Sequence, residues 1–390
     1  EVLRQRHQLG AGAGGAGDVG AHALQVLLYV LLTRELDDRY LHPVVIPRRA
    51  GRDPRPRSPL SSARRRDAPY ARHVSLPHGI DLGTFERARA RVGRRVVDTP
   101  VLRLEPGVVA EGAGIDERGV VTAPCVDPRV AHGLWLKLEC TQVTGSFKPR
   151  GALNRLLSLA PAHLRRGVVT ASGGNHGLAV AYAARALAAP ATVYLPSSTP
   201  PEKAARIERW GATVVRAGDV WDDAHRAALA HAERDGVTYV HPFADPDVVA
   251  GQGTIALEIV ERLPEVDALV IAIGGGGLIA GVGAAARLLR PEIRVIGVEP
   301  TGAPTLFESL RAGELVELPS IATKAGTLAP RRSDAYTFDL IRAVVDEIVL
   351  VTDDEMREGA RFVLAHAGVG VELSGAAAVA AVLTRKARLD

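Results

Sequence analysis

The sequence predicts an α/β fold in which short parallel strands alternate with helices. Six short, almost continuously apolar runs have the length of strands that are buried on both faces of a parallel sheet. Helical stretches lie between them, and right-handed crossovers between such strands produce a doubly wound sheet. The predicted strands are residues 168–171, 191–195, 212–216, 238–240, 268–273 and 295–298, and the predicted helices are residues 176–188, 202–210, 222–234, 248–262 and 279–290.

We predict two doubly wound parallel-sheet domains. The chain has 390 residues, which is too many for one minimal core and enough for two domains that share a cleft. We assign residues 79–169 together with residues 246–390 to a large domain. Residues 170–245 form the predicted small domain.

Residues 1–78 lack the pattern of a fold. They contain a Gly/Ala run near the start and a stretch rich in Arg, Pro and Ser near the end, and such a composition cannot bury enough apolar surface to offset the entropy of ordering. We expect this extension to be disordered or non-native. Its apolar run, residues 23–32, is interpreted as a short buried helix or as a run without structural meaning.

Composition argues against several classes of protein. Two cysteines are too few for a disulfide framework, and no apolar run approaches the roughly 20 residues of a membrane helix. The formal net charge of +4 arises in residues 1–78, which hold 13 arginines and 7 acidic residues. The rest of the chain therefore lacks the excess of basic residues that is typical of nucleic-acid binding. We predict a cytoplasmic protein without a nucleic-acid or membrane partner.

Lys148 is the first candidate for chemistry. The chain has five lysines against 43 arginines, and a buried lysine, unlike arginine, can lose its proton and act as an amine nucleophile. Lys148 lies in the nonapeptide TGSFKPRGA, residues 144–152, ahead of a proline that suits the first turn of a helix. The alternative is a solvated lysine at a helix start, which the specific surrounding peptide disfavours.

Two glycine-containing turns follow predicted strands. The first, SGGNHG at residues 172–177, offers backbone N–H groups at a helix N-terminus to a carboxylate or phosphate, and Asn175 adds a donor for a phenolate-like oxygen. The second, GGGGL at residues 274–278, can surround a dianion with N–H groups. Taken singly, the first turn also fits a capped tight turn. The second also fits a dinucleotide fingerprint, although a good acidic partner is missing.

Together, the three motifs resemble those of fold-type-II pyridoxal-phosphate enzymes, specifically the serine/threonine dehydratase family. HPF at residues 241–243, VAGQGT at 249–254 and GVEP at 297–300 are similar to further signatures of that family. The resemblance implies the type II fold, with pyridoxal 5′-phosphate in the cleft between the two domains. It also implies a small amino-acid substrate and a homo-oligomer, either a dimer or a tetramer.

The resemblance implies a role for each motif. Lys148 would hold the cofactor as a Schiff base and act as the catalytic base at the substrate Cα. The implied cofactor-binding residues are Phe147, Lys148, Asn175, Gly274, Gly275, Gly276, Gly277 and Leu278. The implied substrate-binding residues are Ser172, Gly173, Gly174, Asn175 and His176. The implied reaction eliminates water from L-threonine or L-serine and yields 2-oxobutanoate or pyruvate plus ammonia.

The sequence departs from the family pattern at several positions. Serine racemases of the family carry a serine where this chain has Gly173, which favours elimination over racemisation. Glu299 and Ala303 match positions that bind a divalent cation in those racemases, but Thr305 replaces an aspartate, so we predict no metal. Residues 325–327 lack an acidic side chain that family members often carry near the substrate.

The last departure concerns the C-terminal end. Residues 371–377 resemble a helix start that the family follows with a strand and a Ser/Cys-Gly-x-Asn loop, whose side chain meets the pyridine nitrogen. We expect that partner to lie beyond Asp390. Two alternatives therefore stand beside the dehydratase. One is another fold-type-II enzyme of the serine racemase or β-replacement kind, and the other is a truncated, catalytically impaired protein that binds the cofactor or an amino acid.

Overall fold

A computed structural model gives the fold over residues 29–33, 75–106, 114–115, 117–125 and 134–389. At residues 29–33, 105–106, 114–115 and 121–125 it describes the backbone alone. The strands are β1 Tyr29–Thr33, β2 Val101–Pro106, β3 Gly114–Ile115, β4 Val120–Cys125, β5 Leu134–Lys137, β6 Val168–Ala171, β7 Ala191–Leu195, β8 Thr213–Arg216, β9 Thr238–Tyr239, β10 Val266–Ala272, β11 Arg294–Pro300 and β12 Glu347–Val351. The helices are α1 Leu82–Val92, α2 Lys148–Ser158, α3 Pro161–Arg166, α4 Asn175–Ala186, α5 Pro201–Glu208, α6 Trp221–Asp235, α7 Pro246–Arg262, α8 Gly277–Leu289, α9 Thr305–Ala312, α10 Ala335–Val344, α11 Asp353–Ala367 and α12 Leu373–Leu383.

The smaller sheet is parallel and covered on both faces. Its four strands run in the order β8-β7-β6-β9. Side chains alternate along β6, because successive residues of a strand point to opposite faces. Val168 packs with α4 and α5, whereas Val169 and Ala171 pack against Ala224 and Ala228 of α6. This is the doubly wound arrangement that the sequence predicts.

The larger sheet has eight strands in the order β12-β11-β10-β1-β5-β2-β4-β3. The pairs among β10, β11 and β12 are parallel, whereas β1 is antiparallel to both of its neighbours and β2 is antiparallel to β5. The sheet is thus mixed rather than wholly parallel. Within the stretch from Val101 to Lys137, β2 is parallel to β4, whereas β3 is antiparallel to β4.

Helices also cover both faces of the larger sheet. Along β10, Leu269 and Ile271 point into a core shared with α7 and α8. Val270 and Ala272 point into a second core shared with α11 and α12. The α/β fold class is therefore confirmed. Among the described residues, no helix combines the length and hydropathy needed to cross a bilayer.

The predicted element bounds agree closely with the structure. Strands β6 and β7 have the predicted ends, and the other predicted strands and helices differ by at most two residues at either end. The predicted domain boundary at 169/170 falls inside β6. The division into a large and a small domain remains a prediction, although each predicted domain contains most of one sheet.

Within the described residues of the N-terminal extension lies a strand that the sequence did not predict. Tyr29–Thr33, the end of the apolar run and the residue after it, is strand β1 rather than part of a helix. It pairs with β10, with Leu31 opposite Leu269, and with β5, with Leu31 opposite Trp135. An isolated apolar run has no helical or strand periodicity of its own, so the partner strands decide its conformation. Residues 1–28 and 34–74, on which the expectation of disorder mainly rested, lie outside the described residues.

Deleting residues 1–33 is expected to destabilise the protein, because β10 and β5 would each lose a hydrogen-bonded neighbour in the middle of the sheet. We expect the melting temperature to fall by about 5 °C or more. Deleting only residues 1–28 leaves β1 in place and serves as the control. Equal melting temperatures for the two deletions, measured by differential scanning calorimetry, would show that the sheet does not depend on β1.

Candidate active site

Lys148 lies at the first position of α2, with its amine directed at a backbone carbonyl. Its Nζ donates a hydrogen bond of 2.6 Å to the carbonyl oxygen of Pro242, and it lies 5.1 Å from the centre of the buried Phe147 ring. Burial lowers the pKa of Lys148 to about 8, because a charged amine loses its hydration there. The uncharged fraction of the amine near neutral pH is therefore larger than that of an ordinary lysine.

The turn at residues 172–177 joins β6 to α4. Ser172 Oγ accepts a hydrogen bond of 3.2 Å from the N–H of Gly174. Asn175, the first residue of α4, donates from Nδ2 to Glu372 at 3.1 Å, while its buried Oδ1 has no hydrogen-bond partner among the described residues. A buried polar atom of this kind usually requires a partner. The turn thus presents an unpaired oxygen and the N-terminus of a helix.

His176 is buried and neutral. Its Nε2 lies 3.1 Å from the carbonyl oxygen of Val240, which can only accept a hydrogen bond, so the proton is on Nε2. Burial, with a smaller contribution from Lys148, holds the pKa of His176 well below its ordinary value. Its Nδ1 is a buried acceptor without a partner among the described residues.

The glycine turn at residues 274–277 joins β10 to α8. Gly276 has a φ of 92°, a backbone conformation that favours glycine. A Cβ atom on Gly275 would overlap the ring of Phe243, and one on Gly277 would lie 2.5 Å from the backbone oxygen of Phe243. Leu278, the next residue, is buried in α8. The absence of side chains therefore leaves the turn as bare backbone at a helix N-terminus, the arrangement that suits a phosphate.

The HPF segment connects Lys148 to the glycine turn. Pro242 accepts from Lys148, and Phe243 packs on the glycines. His241 Nδ1 accepts hydrogen bonds from the N–H groups of Phe243, at 3.3 Å, and Ala244, at 2.8 Å. Burial lowers the pKa of His241 to about 4, with smaller contributions from His225 and Lys148, so the ring stays neutral and holds the segment in place. The sequence identified this motif but gave it no role.

A second connection runs through Glu372, which was not among the predicted site residues. Its carboxyl group accepts from Asn175 and from Thr327 Oγ1 at 3.3 Å. The backbone oxygen of Thr327 is close enough to Gly274 to lie 2.7 Å from a Cβ placed there. Burial raises the pKa of Glu372 to about 7, against the opposing hydrogen bonds from Asn175 and Thr327. The sequence offered one signal for Glu372, an acidic residue between apolar neighbours at the start of a helix. Its partner Asn175 is remote in sequence, so the contact could not be predicted.

Of the two metal candidates, Glu299 lies near the end of β11 and Ala303 lies in the connection from β11 to α9. Both carboxylate oxygens of Glu299 accept from the backbone, from Leu306 at 2.9 Å and Phe307 at 2.7 Å. Burial raises the pKa of Glu299 to about 8. Ala303 is buried and offers no ligating side chain. Within the part of the chain that the structure describes, no group of three or more His, Cys, Asp or Glu residues is arranged to hold a metal ion.

These contacts join the three motifs in one site whose donor set fits pyridoxal phosphate. The cofactor carries an aldehyde, which reacts with an amine, and a phosphate dianion. Lys148 supplies the partly uncharged amine, and the glycine turn supplies backbone N–H groups at the start of α8. The unpaired Asn175 Oδ1 and His176 Nδ1 are buried polar atoms that a bound ligand would satisfy.

Comparison with known proteins agrees with this geometry. A family profile described as "Pyridoxal-phosphate dependent enzyme" matches residues 116–390. The chain belongs to this family. The match confirms the family resemblance that the motifs indicated.

The relatives carry more specific names. An L-threonine ammonia-lyase of Thermotoga maritima is 43% identical over 65% of this chain. This chain spans 63% of the length of that relative. Maize serine racemase has a TM-score of 0.70 at 32% identity and covers 78% of this chain and 87% of its own. The processed form of threonine deaminase isoform 2 from Solanum lycopersicum has a TM-score of 0.62 at 38% identity, with 65% and 74% coverage.

The lowered pKa of Lys148 predicts how the amine reacts in the cofactor-free protein. Since only the uncharged amine is nucleophilic, its labelling by an amine-selective reagent should rise with pH around a midpoint of about 8. Peptide mass spectrometry across a pH series measures this midpoint directly, and the Lys148→Ala variant identifies the peptide. A midpoint near 10.5, the ordinary pKa of a lysine amine, would mean that the amine is not desolvated.

Proposed function

We propose that this chain eliminates water from L-threonine and L-serine, yielding 2-oxobutanoate or pyruvate plus ammonia. The observation that carries the proposal is the desolvated Lys148 amine, which is linked through Pro242 and Phe243 to a phosphate-type glycine turn. The names of the relatives support the substrate class, since an L-threonine ammonia-lyase is among those most similar in sequence. L-serine differs from L-threonine by one methyl group, so we include it in the proposed substrates.

Lys148 is the proposed point of attachment of the cofactor through a Schiff base, and the proposed base at the substrate Cα. The cofactor, when bound, supplies a conjugated ring that accepts negative charge. Lys148 Nζ would then take up the Cα proton, for which a pKa near neutrality is well matched. Phe147 limits the movement of the lysine side chain from one side.

The other motifs have proposed binding roles. The backbone N–H groups of Gly274 to Gly277 would hold the cofactor phosphate at the start of α8, next to the buried Leu278. The turn formed by Ser172, Gly173 and Gly174 would receive the substrate carboxylate, since it lies at the N-terminus of α4.

Asn175 and His176 complete the proposed site. The Nδ2 group of Asn175 uses one hydrogen for Glu372, and the second would go to the ring oxygen of the cofactor. His176 would contribute its unpaired Nδ1 as a neutral acceptor for a polar hydrogen of the substrate. We also retain a cytoplasmic location and a homo-dimer or homo-tetramer as proposals.

Racemisation is the second candidate, because maize serine racemase is a structural neighbour. A racemase needs a proton carrier on each face of the Cα, and Gly173 has no side chain to act as the second. A Cβ at Gly173 would lie 3.0 Å from Thr199 Cγ2 and 3.2 Å from Thr199 Oγ1. Thr199 therefore restricts the space where a serine side chain would stand, which supports elimination without racemisation.

Incubation of the cofactor-loaded protein with L-threonine or L-serine should release 2-oxo acid and ammonia in equal amounts. Lys148→Ala should lower kcat by at least about 10³-fold, because both the attachment point and the base are removed. Lys386→Ala is the matched control, since Lys386 is a half-buried lysine paired with Glu355 on α11. Chiral chromatography of the same mixtures should find no D-serine. Formation of D-serine as fast as pyruvate would favour the racemase. An active Lys148→Ala variant would refute both candidate functions.

A further inference from the structure

Helix α2 begins at Lys148 without the contacts that usually fix a helix start. Among the described residues, the N-cap Phe147 makes no side-chain capping bond, and the first turn holds no acidic residue. A cation at this end is also disfavoured by the helix dipole. The position of the Lys148 amine must therefore be fixed by other contacts of the helix.

Arg150, two residues after Lys148, makes such contacts. Its Nε and Nη2 form a bidentate pair with Glu139, both at 2.8 Å. Its Nη1 and Nη2 form a second bidentate pair with Glu258 of α7, at 2.5 and 2.9 Å. The guanidinium is fully buried. Two carboxylates from different parts of the fold therefore fix its planar group in both direction and rotation.

The surrounding charges balance within the buried cluster. Lys137 of β5 is fully buried and donates to Glu258 at 2.6 Å and to the Thr99 carbonyl oxygen at 2.5 Å. Two basic side chains thus face two carboxyl groups, and burial lowers the pKa of Lys137 and raises that of Glu258. Burial would raise the pKa of Glu139, but Arg150 and Lys137 outweigh it and hold that pKa below its ordinary value, so the pair with Arg150 stays ionised.

The backbones of α2 and α7 approach each other closely next to Arg150. A Cβ on Gly151 would lie 2.7 Å from the Val248 carbonyl oxygen, and one on Gly251 would lie 2.5 Å from the Arg150 carbonyl oxygen. Gly151 and Gly251 therefore permit a close helix crossing rather than contact with a ligand. The crossing fixes the distance between the helices, and the Arg150 pairs fix the rotation of α2.

We propose that Arg150, clamped between Glu139 and Glu258, is the positioning residue of Lys148, because it sets the rotation of α2 and hence the direction of the amine. The inference rests on the proposed role of Lys148. Arg150 does not act on the substrate. Its effect is to keep the start of α2 oriented so that Nζ stays directed at the Pro242 segment beside the glycine turn. A displacement of about 1 Å at such a position can cost on the order of 100-fold in rate.

Arg150→Lys tests the proposal, since it keeps the charge but removes the bidentate fork. At saturating cofactor, we expect the fraction of chains with cofactor fixed to Lys148 by borohydride to fall, and kcat to fall roughly 10- to 100-fold while KM changes by less than about twofold. The double variant Lys137→Met/Glu258→Gln leaves Arg150 paired with Glu139 alone, removes one charge of each sign, and should shift both readouts in the same direction.

Glu261→Gln is the control, because Glu261 lies one turn further along α7 in an exposed pair with Arg89. Thermal unfolding of all variants separates folding from positioning. The proposal would be overturned if the Arg150→Lys variant and the double variant were folded and matched Glu261→Gln in both readouts. It would also be overturned if both of these variants were unfolded, because the cluster would then be purely structural. Lys148→Ala is run in parallel: if it keeps its activity, the proposed function fails, whereas an inactive Lys148→Ala beside unaffected Arg150 variants refutes only the positioning role.

Discussion

The site depends on keeping one amine partly uncharged and fixed in direction. Lys148 stands at a helix N-terminus, where the dipole disfavours its charge, and burial lowers its pKa to about 8. The Pro242 carbonyl then gives the amine one defined partner. The other features of the site serve this arrangement: His241 holds the Pro242 segment, and the segment in turn packs on the glycine turn.

The fold brings the two glycine-containing turns together because each follows the carboxyl end of a parallel strand. The SGGN turn follows β6, and the glycine turn follows β10, so both present the N-terminus of the next helix at the carboxyl end of a parallel strand. In open α/β sheets this is the edge at which ligands bind. Glu372 connects the two turns across this edge, since its partner Asn175 begins α4 after β6 of the smaller sheet, and its partner Thr327 lies against the glycine turn after β10 of the larger one.

Local sequence predicts what depends on neighbouring residues. Strand-helix alternation predicted the ends of β6 and β7, and each glycine motif was predicted at the strand-helix junction where it lies. Contacts between distant segments could not be predicted in this way. Glu372 lies 197 residues from Asn175, and Arg150 reaches Glu258 across 108 residues. The conformation of β1 is set by β10 and β5, so the composition of the extension carried no information about it.

The most direct test of the account is to find where the cofactor is attached. The chain contains only five lysines, so borohydride reduction of the pyridoxal-phosphate-loaded protein, followed by peptide mass spectrometry, resolves all of them. The account predicts that one equivalent of reduced cofactor is found on Lys148, at its full mass including the phosphate. Attachment to Lys137, Lys203, Lys324 or Lys386 instead, or a protein that binds the cofactor without any reducible link, would contradict it.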